Sequence, residues 1–174
     1  STNKYFLAEK HSKGPVYGSF DSHMKVIEYA YKNNYKNVLV LEDDVCFDVE
    51  KICNTEILST ISNFINNNKE WDLFYVGGMP YYKFGNYNDL IIKGEWILAH
   101  SYIVNRKCMQ YIIKHKRILP FNFCFADYYY IILNKLKKYG LKKSIVFQAD
   151  SPSTSQWPIY LSFYNKICSI INQL

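Results

Sequence analysis

An α/β domain is predicted, on two observations: short strand-like runs that are apolar on both faces, and amphipathic helical segments that alternate with them. The clearest run is Asn-Val-Leu-Val-Leu at 37–41. Apolar residues at consecutive positions are the pattern of a strand buried on both sides in a parallel sheet. With 174 residues, nearly half of them apolar and 18% aromatic, the chain has the material for one domain, 1–174, with a real core. Disorder is excluded on the same numbers.

Taken in order, the opening is polar and irregular, and Gly14-Pro15 and Gly18 mark a turn. His23, Val26, Ile27, Ala30 and Tyr31 then recur at helical spacing. Ser19 or Asp21 is the expected N-cap and Asn33-Asn34 the expected end. After the strand at 37–41, Ile57, Leu58, Ile61, Phe64 and Ile65 define a second amphipathic helix. Residues 71–76 read as a strand closed by Gly77-Gly78 and Pro80, and 81–89 as an aromatic loop without a period. A strand is expected over 96–104, helices over 107–115 and 127–138, and a strand over 144–147. Tyr160, Phe163, Tyr164, Ile167, Ile171 and Leu174 share one helical face, so 158–174 reads as an amphipathic helix able to dock on the domain or on a second copy.

Composition narrows the function classes. No apolar run approaches the roughly 18–20 residues of a membrane span, and no signal-like segment opens the sequence. The net charge of +6 accompanies an abundance of Lys, Asn, Ile, Tyr and Phe, as an AT-rich coding sequence supplies. Basic residues are spread out, apart from the cluster of Lys135, Lys137, Lys138, Lys142 and Lys143, and only Arg106 and Arg117 are arginines. A nucleic-acid partner is not expected from that distribution. Five cysteines (Cys46, Cys53, Cys108, Cys124, Cys168) lack CxxC spacing, which argues against a zinc site and a disulfide framework. With no Asn-x-Ser/Thr sequon, the expectation is reduced thiols and a cytoplasmic location.

Glu42-Asp43-Asp44 follows the 37–41 strand directly. In open α/β sheets ligands bind beyond the carboxyl ends of strands. Crowded carboxylates there repel, and a hard divalent cation such as Mg or Mn offsets that repulsion. A metal so held can stabilise a departing diphosphate. Alternate residues of an extended segment point the same way, so Glu42 and Asp44 are the expected metal ligands, with Asp43 on the other side. The plainer alternative is an acidic turn in which Asp44 or Asp48 caps the next helix.

With these residues in place, the sequence resembles glycosyltransferase family 25, the lipooligosaccharide and procollagen galactosyltransferases. The resemblance is carried by Gly18-Ser19-Phe20-Asp21-Ser22-His23 and by Val38-Leu39-Val40-Leu41-Glu42-Asp43-Asp44-Val45. Trp71-Asp72-Leu73-Phe74-Tyr75-Val76-Gly77, His100-Ser101-Tyr102-Ile103-Val104, Phe125-Ala126-Asp127-Tyr128-Tyr129 and Gln148 extend it in order. It implies a GT-A-like fold, a mostly parallel sheet flanked by helices, here lacking the first strand–helix unit because only 17 residues precede Gly18. A late Ser-Asp pair of the family is also missing, with Asp150 as the nearest substitute.

The resemblance further implies a metal-dependent inverting transfer of galactose or glucose from a UDP-sugar, with Mn2+ or Mg2+. The acceptor would be a hydroxyl of a glycan, a lipooligosaccharide or a collagen-like chain. Inversion needs a carboxylate base at the acceptor hydroxyl, and Asp127 is the candidate, with an N-cap as its plainer role. His100 is the second catalytic candidate, against a buried histidine bonded to backbone. His23 reads as a buried supporting residue. Glu42, Asp43, Gly77, Gly78 and Gln148 are the candidate donor-binding residues, the glycines because they permit close approach to the backbone. The aromatic stretch 81–87 could stack on an acceptor sugar or cover the core. Two other classes remain open on the residues: a transferase-like module without catalysis, and a metal-dependent nuclease or phosphodiesterase.

Overall fold

A computed structural model of the chain describes residues 4–116, 130 and 133–148. The elements are α1 (Pro15–Lys32), β1 (Asn37–Leu41), β2 (Val45–Phe47), α2 (Val49–Ile52), α3 (Thr55–Asn67), β3 (Leu73–Tyr75), β4 (Met79–Asn86), β5 (Ile91–Ile97), β6 (Ser101–Asn105), α4 (Arg106–His115), β7 (Lys138–Leu141) and β8 (Val146–Gln148). Six strands form one sheet in the order β1-β6-β3-β7-β5-β4, and β2 pairs with β8 in a second.

The expected GT-A-like, mostly parallel sheet is not the one that forms. Only β3 and β7 pair in parallel; β1 with β6, β3 with β6, β5 with β7 and β4 with β5 are all antiparallel. The fold is therefore α+β. Consecutive apolar residues report burial on both faces of a strand, and that burial is present here. Leu73 and Tyr75 enter a core with Met24, Ile27, Val104, Met109 and Ile112, under α1 and α4. Phe74 and Val76 enter a second core with Ile61, Phe64, Val45 and Val146, on the α3 and β2–β8 side. A covered sheet needs the same apolar pattern whichever way its strands run, so the pattern could not give direction.

Other departures have local causes. Helix α1 begins at Pro15, with Gly14 as N-cap, because proline fits the first helical position, where no N–H is required. Residues 81–86 belong to strand β4, which forms one edge of the sheet, opposite β1, and is exposed along nearly its whole length. A strand with no buried face has no period-two signal, hence its reading as a loop. The strand expected over 96–104 divides at Leu98, whose φ is 66°, into the end of β5 and the whole of β6. The expected helix over 127–138 does not extend to its end, since 133–137 form turns and Lys138 starts β7. The amphipathic helix expected over 158–174, Cys124, Cys168 and Asp127 lie outside the described residues.

Two of the five clustered lysines are held in ion pairs. Lys138 is 2% exposed and bonded to Glu95 at 2.6 Å, and Lys137 pairs with Glu70 at 2.9 Å. Arg106 donates to Tyr31 O and Asn34 Oδ1 and lies over the Tyr31 ring, tying α4 to the end of α1. Cys46 and Cys108 are buried, Cys53 is exposed, and none of the three is in a disulfide. Among the described residues no helix is long and apolar enough to cross a membrane.

Candidate functional site

The site forms where β1 and β3 end on either side of the start of β6. Leu41 pairs with Ser101 and Tyr75 with Tyr102, and Glu42 N–H donates to the His100 carbonyl at 2.9 Å. That last bond continues the β1–β6 ladder one residue further, so Glu42 is fixed before the chain turns at Asp43-Asp44. Strand β2 then starts at Val45, directly opposite Gln148 of β8. The acidic triplet, His100, Ser101 and Gln148 are thus brought together from three distant parts of the sequence.

Glu42 is the hub. Its Oε1 lies 2.9 Å from His23 Nε2, and its Oε2 accepts from Gln148 Nε2 at 3.2 Å. His23, buried on α1, also meets Tyr102 Oη through Nδ1 at 2.8 Å, and Tyr102 Oη meets Tyr130 Oη at 2.7 Å. A carboxylate can only accept, so His23 Nε2 carries the proton. At Nδ1 a neutral imidazole accepts from Tyr102, and an imidazolium donates to it, so the tyrosine hydroxyls satisfy either form. Burial disfavours the Glu42 carboxylate, but the hydrogen bond and charge of His23, with His100 and Gln148, outweigh it and hold the carboxyl below its usual value.

Asp44 is the opposite case. Burial, then the charges of Glu42 and Asp43, push its carboxyl up to about 6. Its Oδ1 is buried with no hydrogen-bond partner among the described residues, as is Ser101 Oγ. Asp48, not Asp44, caps the following helix, accepting from Lys51 N at 3.1 Å. The capping explanation therefore accounts for Asp48 and not Asp44, whose carboxyl is also hydrogen-bonded by Gln148 while its Oδ1 has no partner. Asp43 is exposed.

The remaining expected residues have specific places. His100 is buried, with Nε2 3.3 Å from the Val146 carbonyl. Gly77 bridges to Val146. A methyl on Gly77 would lie 2.6 Å from Val146 O and 2.7 Å from His100 Nε2, and closer still to Ser101 Oγ. Gly78 has φ 99°, a conformation that suits glycine. Both glycines are thus required by the protein's own packing. Gly77→Ala is expected to cost about 1–3 kcal/mol, the usual penalty for overpacking, measured by urea denaturation. An unchanged midpoint would mean that the strand end relaxes freely.

Asp127 lies outside the described residues. Sequence reasoning did not find the Tyr102–Tyr130 link to His23. Its signal was a tyrosine inside the buried strand β6, where a buried hydroxyl needs a partner. The aromatic stretch 81–87 stands out on the edge strand, with Tyr81, Tyr82, Phe84 and Tyr87 all more than half exposed.

Among the described residues no three His, Cys, Asp or Glu side chains form a ready-made metal cage. A Mg2+- or Mn2+-type ion commonly takes only one or two carboxylates and completes its shell with water and phosphate oxygens. The unpartnered Asp44 Oδ1 beside exposed Asp43 fits that kind of ligation. No protein-family model matches this chain, and no curated protein matches it in sequence.

Proposed function

We propose that this chain is a metal-dependent inverting glycosyltransferase that moves a hexose from a UDP-sugar to a hydroxyl of a glycan or collagen-like acceptor. The observation that carries the reading is Asp44: a half-buried carboxylate crowded by two others, with an oxygen left unbonded just beyond the carboxyl end of β1, an edge strand of the sheet. Such a group is costly unless a cation meets it. A Mn2+ or Mg2+ ion held there with the donor would supply charge stabilisation for the departing diphosphate. Asp44 and Asp43 supply carboxylate oxygens, and Gln148 and Glu42 set the wall beside them. Asp127 is the base in this proposal and takes the proton of the acceptor hydroxyl. Galactose or glucose as donor sugar follows from the family resemblance. Because fold does not fix function, the antiparallel sheet does not weigh against a site of this chemistry.

The test is UDP release from UDP-galactose and UDP-glucose in Mn2+, with wild type compared to Asp43→Ala/Asp44→Ala. Metal-dependent release that disappears in the double variant is the expected result. A well-folded wild type that neither binds nor cleaves either donor would sink the proposal.

A further inference from the structure

Glu42 belongs to the acidic triplet by sequence, yet its surroundings differ from those of Asp44. One carboxylate oxygen faces His23 Nε2 at 2.9 Å and the other faces Gln148 Nε2 at 3.2 Å. Its own N–H is tied to the His100 carbonyl. Behind His23 stand Tyr102 and Tyr130, both buried, linked through their hydroxyls. The imidazole is also stacked on the Tyr102 ring, with 8° between planes. Both oxygens of the Glu42 carboxylate are therefore held by side chains, with Gln148 also reaching Asp44, while Asp44 Oδ1, two residues on, is left unbonded.

We infer that Glu42 is a positioning residue and not a metal ligand: His23 and Gln148 clamp it so that the turn at Asp43-Asp44 presents Asp44 to the cation. The inference rests on the metal-dependent reading above and assigns the three acids different tasks. Glu42 pins α1 and β8 to the end of β1, which fixes where β2 begins and hence where Asp44 points. Supporting groups of this kind commonly change metal affinity by about 10–100-fold when removed.

A positioning role needs the shape and hydrogen bonds of Glu42 but not its charge. In Glu42→Gln the amide carbonyl still accepts from His23 Nε2, and Gln148 can rotate its own amide to accept from the new NH2. A ligand role needs the carboxylate, so the same substitution would remove it.

The experiment is titration of the full chain with Mn2+ alone, followed by water-proton relaxation, alongside melting curves to confirm folding. Wild type is expected to bind and Asp44→Asn to lose binding. Glu42→Gln is expected to stay within about threefold of wild type, while Glu42→Ala and His23→Ala weaken affinity by about 10-fold or more. Tyr102→Phe, which removes one hydroxyl from the buried chain, decides the matter if the alanine variants do not fold, and is expected to weaken affinity several-fold.

Loss of binding in Glu42→Gln equal to that in Asp44→Asn would make Glu42 a ligand and overturn the inference. Undiminished affinity in folded Glu42→Ala and His23→Ala, or in Tyr102→Phe where those do not fold, would also overturn it. A wild type that binds no Mn2+ fails the metal-dependent reading itself. The wild-type curve therefore reports on that reading, and the variants report on Glu42.

Discussion

Asp44→Asn is expected to make the metal-free protein more stable at pH 7 while abolishing metal-dependent turnover of a UDP-sugar. The folded protein holds the Asp44 carboxyl at about 6, against an ordinary value of 3.8, through burial and then the charges of Glu42 and Asp43. A carboxyl raised in the native state binds its proton more tightly there than in the unfolded chain. Its contribution is fully favourable below pH 3.8 and is lost as pH rises through about 6. At neutral pH the ionised group opposes folding. Because Asp44 is only half-buried and solvent screens its neighbours, the discounted cost is on the order of 1–2 kcal/mol.

Removing that charge should raise the melting temperature by about 3–6 °C at pH 7 for a chain of this size, and the gain should vanish near pH 3.5. Glu42 titrates in the opposite sense, stabilising above its ordinary value of 4.5 and losing that stabilisation as pH falls through its lowered folded value. The two effects are therefore separable by pH. Added Mn2+ should raise the melting temperature of wild type by mass action and leave Asp44→Asn unmoved. Turnover should fall by about 100-fold or more, the size of losing several kcal/mol of charge stabilisation. An Asp44→Asn protein that melts at or below wild type at pH 7 would mean that the crowded carboxylates carry no cost, and the argument for a cation would lose its basis.

What could be read from the sequence was burial, and what could not was direction and long-range polar pairing. The 37–41 strand is β1, the acidic triplet does follow its end, and the 107–115 helix is α4 with one residue added at its start. Each rests on apolar spacing along a local segment. Strand direction leaves no such trace, because Leu73 to Val76 must be apolar on both faces under two cores whether the neighbour is parallel or antiparallel. Strand β4 was invisible for the converse reason: exposed on both faces, Met79–Asn86 has no alternation to detect. At the site, Gln148 and the triplet were each singled out, but their contact spans 106 residues. The pairing of β2 with β8 that creates it involves two three-residue strands, too short to announce a partner. His23 was legible as a buried histidine on an apolar helix face. That it bridges Tyr102 and Glu42 required the sheet to bring β1 and β6 side by side.

The second large effect is expected far from the acidic triplet, at Glu95. Lys138 has a side chain only 1% exposed, and its ammonium lies 2.6 Å from Glu95 Oε2, a carboxylate that itself is 16% exposed. Burial lowers the Lys138 value, and the hydrogen bond and charge of Glu95 restore it only in part. Breaking a buried pair by removing one partner costs about 3–5 kcal/mol, because the other charge stays desolvated and uncompensated. Glu95→Ala should therefore lose about that much stability by urea denaturation at pH 7. A lysine whose folded value lies below its unfolded 10.5 binds fewer protons in the native state, so the stability of the variant should climb as pH rises toward 10 and Lys138 discharges. Replacing both members with apolar residues of similar size, Glu95→Leu with Lys138→Met, removes the stranded charge and should recover most of the loss. A Glu95→Ala protein within 1 kcal/mol of wild type, with no pH dependence between 7 and 10, would show that water reaches Lys138 and that β5 and β7 do not seal it. Glu95→Leu alone distinguishes a cost of stranded charge from one of lost packing: a packing loss at position 95 would be recovered by the leucine itself, whereas a stranded charge is relieved only when Lys138 is replaced as well.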